Sequence, residues 1–191
     1  MRPFDLVLFR WVNGWPDAFN PLFYSLSEGN KWWPVRIALL AFLAYCLWKP
    51  KLRTPAVVAL MAWPLANELC DVLKNVFQMP RPSVEVGDAI VRVARLTSYG
   101  TASAHSANMA AVATAFLYYS RGTGYFWLAV AILTGISRVY VGVHYPYQVL
   151  LGWAVGAAVA GSATAIWEAI KRKWAPRQGE PADDLPESGG V

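Results

Sequence analysis

A chain of 191 residues, 56% of them hydrophobic and 15% charged, with ten tryptophans, lies outside the composition of a soluble domain and reads as a small integral membrane protein. The formal net charge of +5 suits acidic lipid headgroups. It does not mark a nucleic-acid binder, because the basic residues are dispersed over loops between apolar runs rather than gathered on one soluble face.

In chain order, residues 1–14 mix Phe4, Leu6, Val7, Leu8 and Val12 with Arg2, Asp5 and Arg10, a pattern for a helix lying in the membrane interface. They lack the charge, apolar core and small-residue pattern of a signal peptide. A short or broken segment is expected near Asp17 to Ser27, where Pro16 and Pro21 interrupt it. Five apolar runs follow: Val35 to Trp48, Pro55 to Val72, Ala107 to Tyr119, Tyr125 to Ile136, and Val149 to Ile170. With flanking Trp, Tyr and Ser admitted, most approach the roughly 20 residues of a spanning helix. The expected fold is all-α, a polytopic membrane bundle of five to six transmembrane helices plus the interfacial helix. It forms a single domain over residues 1–174. The tail from Ala175, rich in Pro, Gly and acid, is expected to be disordered and cytoplasmic. Cys46 and Cys70 fall inside apolar runs and read as packing residues rather than a disulfide.

Short loops rich in Lys and Arg stay on the cytoplasmic side. Lys49, Lys51 and Arg53, then Arg121, then Lys171 to Lys173 and Arg177 all fall on one side when spans are counted. The opposite side receives residues 78–100 and the stretch around His144, and it carries Arg81, Arg92, Arg95 and Arg138. Cations placed against the rule call for another purpose.

Three polar clusters carry the chemistry. In the first, Asn67, Asp71 and Lys74 share a helix face beside Glu68, and the plain reading of the three non-basic residues is a polar seam paired within the bundle. Lys74 is different, because Arg81 follows it in KNVFQMPRP, where Pro80 and Pro82 end the helix and fix the turn. In the second, TASAHSANMAA, Ser103 is a candidate N-cap and the free N–H groups of Ala104 and His105 favour an anion. The third, SRVYVGVHYPYQ, sets Arg138 at a helix end, His144 just before Pro146 in the first turn of the next helix, and Gln148 one turn beyond. Lys and Arg forks neutralise phosphoryl oxygens, one histidine can attack phosphorus, and a second can protonate the leaving group. Two histidines without a carboxylate cluster make a poor zinc or di-metal set, so no metal or other cofactor is called for.

In order and spacing, Lys74 to Pro82, Ser103 to His105, and Ser137-Arg138 followed by His144 resemble the three signatures of the type 2 phosphatidic acid phosphatase superfamily, which also includes the vanadium haloperoxidases. The membrane spans set the chain apart from the soluble haloperoxidase branch. The resemblance implies a six-helix core, an active site facing the periplasm or outer leaflet, and a phosphohistidine intermediate on His144. It also implies His105 as the acid and Lys74, Arg81, Ser103 and Arg138 as the phosphate cradle. Two positions depart from the pattern: Ala104 stands where Gly is usual, and Gln148 where Asp is usual. A carboxylate at 148 would accept the Nδ1 proton and stabilise the imidazolium; an amide accepts the bond without supplying the charge. If Gln148 is to orient the nucleophile, its NH₂ needs a separate acceptor, and Asp71 and Glu68 are the carboxylates that would otherwise hold the ring.

The function that follows is hydrolysis of a lipid phosphate or diphosphate in the bilayer. The family's range admits undecaprenyl diphosphate or a related lipid diphosphate, favoured here, and also phosphatidylglycerol phosphate, phosphatidic acid and lipid A 1-phosphate. Lipid-to-lipid phosphotransfer, and lipid-phosphate binding without catalysis, are the alternatives. The partners are membrane lipids and the lipid substrate, and nothing in the residues sets an oligomeric state.

Overall fold

The computed structural model describes residues 3–174. The expected tail lies outside them. The described residues form eight α-helices in chain order: α1 (Pro3–Asn13), α2 (Asn20–Glu28), α3 (Trp33–Trp48), α4 (Pro50–Phe77), α5 (Pro82–Glu85), α6 (Ala104–Tyr119), α7 (Arg121–Tyr140) and α8 (Pro146–Trp174). Each of the five apolar runs became one of α3, α4, α6, α7 and α8. The helices overrun the runs because capping and hydrogen bonding, rather than hydropathy, set where a helix stops. The interrupted segment after α1 is a 3₁₀ turn, Asp17–Phe19, leading into α2, with Pro21 in its first turn, where the missing N–H costs nothing. By length and composition α4, within the stretch Pro50–Glu85, and α8 are apolar enough to cross a membrane; α3 is apolar but shorter.

The helix α6 sits at the centre, packed against α4, α7 and α8. Small residues allow this. Ala62, Ala66 and Cys70 of α4, Ala107 and Ala111 of α6, and Val155 and Ala160 of α8 form one buried cluster. A side chain in place of Gly152 or Gly156 would run into the α6 backbone at Ser103 or Ala107. Close approach of helix backbones through Gly and Ala is how helices associate where lipid supplies no hydrophobic drive. Cys46 and Cys70 are free and fully buried, as packing residues should be.

Three connections at one end of the bundle are bound to one another. At the end of α4, Gln78 adopts a left-handed conformation (φ 47°), and Pro80 and Pro82 prevent the helix from resuming before α5. After α7, Gly142 takes φ +83°, a conformation that side chains resist, directly beneath the Ile90 carbonyl. Asn13 of α1 joins these connections. Its amide donates to Ile90 O (2.8 Å) and Tyr140 O (2.9 Å) and accepts from Ile90 N (2.8 Å). Arg92 donates to Asn13 O and Tyr140 O, both at 2.9 Å, and lies 4.1 Å over the Tyr140 ring. This arginine, one of the misplaced cations of the sequence, braces the loop.

Candidate active site

His144 lies in the loop between α7 and α8, 3% exposed. Its backbone N–H and that of Val143 both donate to Arg138 O at 3.2 Å, so the end of α7 fixes the start of the loop. Around its ring three one-directional groups decide the tautomer. The N–H of Tyr145 can only donate, and it donates to Gln148 Oε1 at 3.1 Å. Pro80 O can only accept, and it takes a hydrogen from Gln148 Nε2 at 2.9 Å. The amide is therefore oriented with its oxygen toward His144 Nδ1, 3.1 Å away, and Nδ1 must carry the proton. Arg81 also can only donate; its Nη1 lies 2.8 Å from His144 Nε2, which must be the lone pair. Burial, and then the charges of Arg81 and Arg138, hold His144 well below the usual imidazole range, so the ring is neutral.

Arg81 is buried and fully ordered by the loop. Its Nε donates to Ser98 O (2.7 Å), Nη2 to Ser98 Oγ and Tyr99 O (3.0 Å each), and Nη1 also to Val143 O (3.0 Å). Gly100 lets the pieces meet, since a Cβ there would lie 2.8–2.9 Å from the Gln148 amide and Arg81 Cγ. Ser103 caps α6 as its sequence context suggests, accepting from Ser106 N at 3.3 Å. Its own backbone N–H donates to Gln148 O at 2.9 Å, tying the start of α6 to the start of α8. Ala104 and His105 occupy the first turn, whose N–H groups have no partner within the helix. His105 Nε2 is buried without a hydrogen-bond partner among the described residues.

Lys74, on the last turn of α4, is buried and pairs with Asp71 at 2.7 Å. Asp71 also accepts from Asn67 at 3.3 Å. The seam expected between helices is thus replaced by pairing along α4 itself, among Asn67, Asp71 and Lys74, with Glu68 exposed, and the ring of His144 is held by Gln148 rather than by either carboxylate. Arg138 is 2% exposed, and its Nη1 is bound by Ser27 and by Glu28 Oε1 (3.3 Å), while its Nε is buried without a partner. Glu28 also pairs with Lys31. Sequence reasoning did not reach Ser27 and Glu28; the signal was an acid and a lysine in SLSEGNK at the edge of an apolar segment. The charges of Arg81, Arg138 and Lys74 add to burial in disfavouring the imidazolium of His144.

This arrangement sets a neutral imidazole lone pair against the Arg81 guanidinium, with Lys74 at the end of α4 and Arg138 at the end of α7, residue types that suit a phosphoryl group. Among relatives, the undecaprenyl-diphosphatase of Sulfolobus acidocaldarius is 29% identical over 82% of this chain and 75% of its own length. The lipid A 4′-phosphatase of Porphyromonas gingivalis is 29% identical over 87% of this chain and 74% of its own. The crystal structure of Aquifex aeolicus LpxE superposes with a TM-score of 0.68 at 25% identity, covering 84% of this chain and 94% of that one. Residues 55–172, which carry all three polar clusters and most of the bundle, match the PAP2 superfamily, and the chain belongs to it.

Proposed function

We propose that the protein is a multi-pass membrane phosphatase that hydrolyses a lipid phosphate or diphosphate through a phosphohistidine on His144. The observation that carries this reading is the locked tautomer: Nδ1–H held by Gln148, and the Nε2 lone pair aimed at Arg81. When substrate binds, Arg81 Nη1 turns from the lone pair to a phosphoryl oxygen; the freed lone pair attacks phosphorus, the N–P bond forms as the P–O bond to the lipid side breaks, and the departing oxygen takes a proton from His105. Water then attacks the phosphohistidine, giving its proton to His105 and releasing inorganic phosphate. Lys74, Arg81 and Arg138, with the N–H groups at Ser103, Ala104 and His105, neutralise the phosphoryl oxygens throughout. No step calls for a metal.

In this reading α3, α4, α6, α7 and α8 span the bilayer within one domain, α1 lies in the interface, and α2 forms the short sixth segment. The site faces the periplasm or cell exterior. A lipid diphosphate such as undecaprenyl diphosphate is the favoured substrate, supported by the undecaprenyl-diphosphatase among its relatives.

The test is phosphate release by purified protein in detergent from a panel of lipid phosphates and diphosphates, with EDTA present. The parent should turn over at least one and accumulate acid-labile, base-stable phosphoenzyme after rapid quenching. His144→Ala should abolish both with the fold intact. Substantial turnover by that variant removes His144 as the nucleophile.

A further inference from the structure

We propose that Lys31 and Arg36 form a subsite for the second phosphate of a lipid diphosphate, at the mouth of a cleft that receives the lipid tail, and so make the enzyme select diphosphates over monophosphates. The inference rests on the phosphatase reading and deepens it.

A cleft of about 460 Å³ lies between α3, α4, α6 and α7. Its body is apolar, formed by Leu39, Leu43, Leu60, Val112, Phe116 and Trp127, while Asn30, Arg36 and Asn108 are polar. Asn108 lies one turn along α6 from His105, and its Oδ1 is buried without a partner. The cleft therefore begins beside the residue that serves the leaving group. With a monophosphate, the oxygen released at His105 belongs to a lipid alcohol, and the chain starts there. With a diphosphate it belongs to a lipid monophosphate, and one further anionic group must be accommodated before the chain starts.

Two cations stand at this end of α3: Arg36 lines the cleft, and Lys31 adjoins Asn30, which lines it too. Glu28 bridges Arg138 and Lys31, one carboxylate oxygen to each, so Lys31 is a single carboxylate away from the arginine of the phosphoryl site. The Lys31 side chain is 58% exposed, and its ammonium has donors beyond the one directed at Glu28. Arg36 uses Nε on Asn30 O (2.9 Å) and rests 5.3 Å over the Trp33 ring, which leaves its two terminal NH₂ groups for a ligand. Lys31 precedes α3 and Arg36 stands in its first turn, so in the proposed orientation both fall on the side of His144, where the positive-inside rule gives no reason for them. The second large cleft, about 520 Å³ between α4 and α8, has no charged residue in its lining and only Ser162 as a polar one. Arg36 in its lining sets the first cleft apart.

The experiment compares kcat/KM for farnesyl diphosphate and farnesyl monophosphate, two substrates with one tail. In Lys31→Ala/Arg36→Ala the ratio of diphosphate to monophosphate should fall about tenfold or more, as expected for lost charge-assisted phosphate contacts. Arg36→Ala alone, which leaves the Glu28–Arg138 pair untouched, should lower the ratio in the same direction, and Lys31→Arg/Arg36→Lys should restore most of it. Inorganic diphosphate should inhibit the double Ala variant more weakly than the parent. An unchanged ratio, or equal losses on both substrates, overturns the subsite and leaves the phosphatase reading intact. A parent that hydrolyses neither these nor any other lipid phosphate overturns both.

Discussion

At Gln148 the amide does work that the carboxylate usual in the family would do differently. Its oxygen accepts from His144 Nδ1 and Tyr145 N, and its nitrogen donates to Pro80 O and Tyr147 Oη. A glutamate of the same length would set a second acceptor against the Pro80 carbonyl. Aspartate, one methylene shorter, can keep a charged acceptor near Nδ1 without pressing on that carbonyl. We therefore expect Gln148→Asp to form phosphohistidine faster than the parent in single-turnover measurements. Gln148→Leu should be slower by about ten- to a hundredfold, the usual range for losing such an outer partner. A Leu variant as fast as the parent would mean that Gln148 does not orient the ring. The neutral state of His144 has its own signature. Burial and the neighbouring cations push it well below the ordinary imidazole range, so kcat/KM should show no loss of an ionising base between pH 7 and 6. Removing a cation removes its repulsion of the imidazolium. In Arg81→Ala the acid limb should therefore move up toward the ordinary value near 6.5.

Among the elements, the site depends on how closely three helix ends and one loop approach. Gly100 is the point of closest approach, because a Cβ there would meet the Gln148 amide and Arg81 at 2.8–2.9 Å. The obstructing atoms belong to side chains, so Gly100→Ala should fold and instead displace the two groups that orient His144. Turnover should drop about tenfold or more, as misplaced reacting groups require, and thermal stability should fall as well, because both displaced groups are buried and held by hydrogen bonds. A variant as active as the parent would show that the loop relaxes without moving Arg81 or Gln148. The helix α2, interrupted and weak as a span in the sequence, supplies the residues that hold Arg138. Its pattern offers an acid and a lysine at the edge of an apolar segment but not their partner, since Ser27 and Arg138 are 111 positions apart.

For the whole molecule, the proposed orientation puts residues 78–100 outside. In a Cys46→Ala/Cys70→Ala background, Ala94→Cys, at an exposed position in that segment, should react with an impermeant thiol reagent in intact cells. Labelling only after permeabilisation would invert the topology. Much of this architecture was legible in one dimension. Long apolar runs have few ways to satisfy their backbone in lipid other than as helices, so composition alone determined an all-α bundle, and each run became a helix. Local rules reached equally far within the site: Ser103 as the cap of α6, Pro146 opening α8, and Gln148 one turn from His144 all depend on neighbours in sequence, and the structure has all three. Partners brought from far along the chain were beyond such rules. Pro80 holding the Gln148 amide, Ser27 and Glu28 holding Arg138, Asn13 and Arg92 joining the loops, and Asp71 spent on Lys74 rather than on His144 follow from which helix ends come together. That is decided by the packing of small residues along α4, α6 and α8, a property of surfaces in three dimensions that no local pattern encodes.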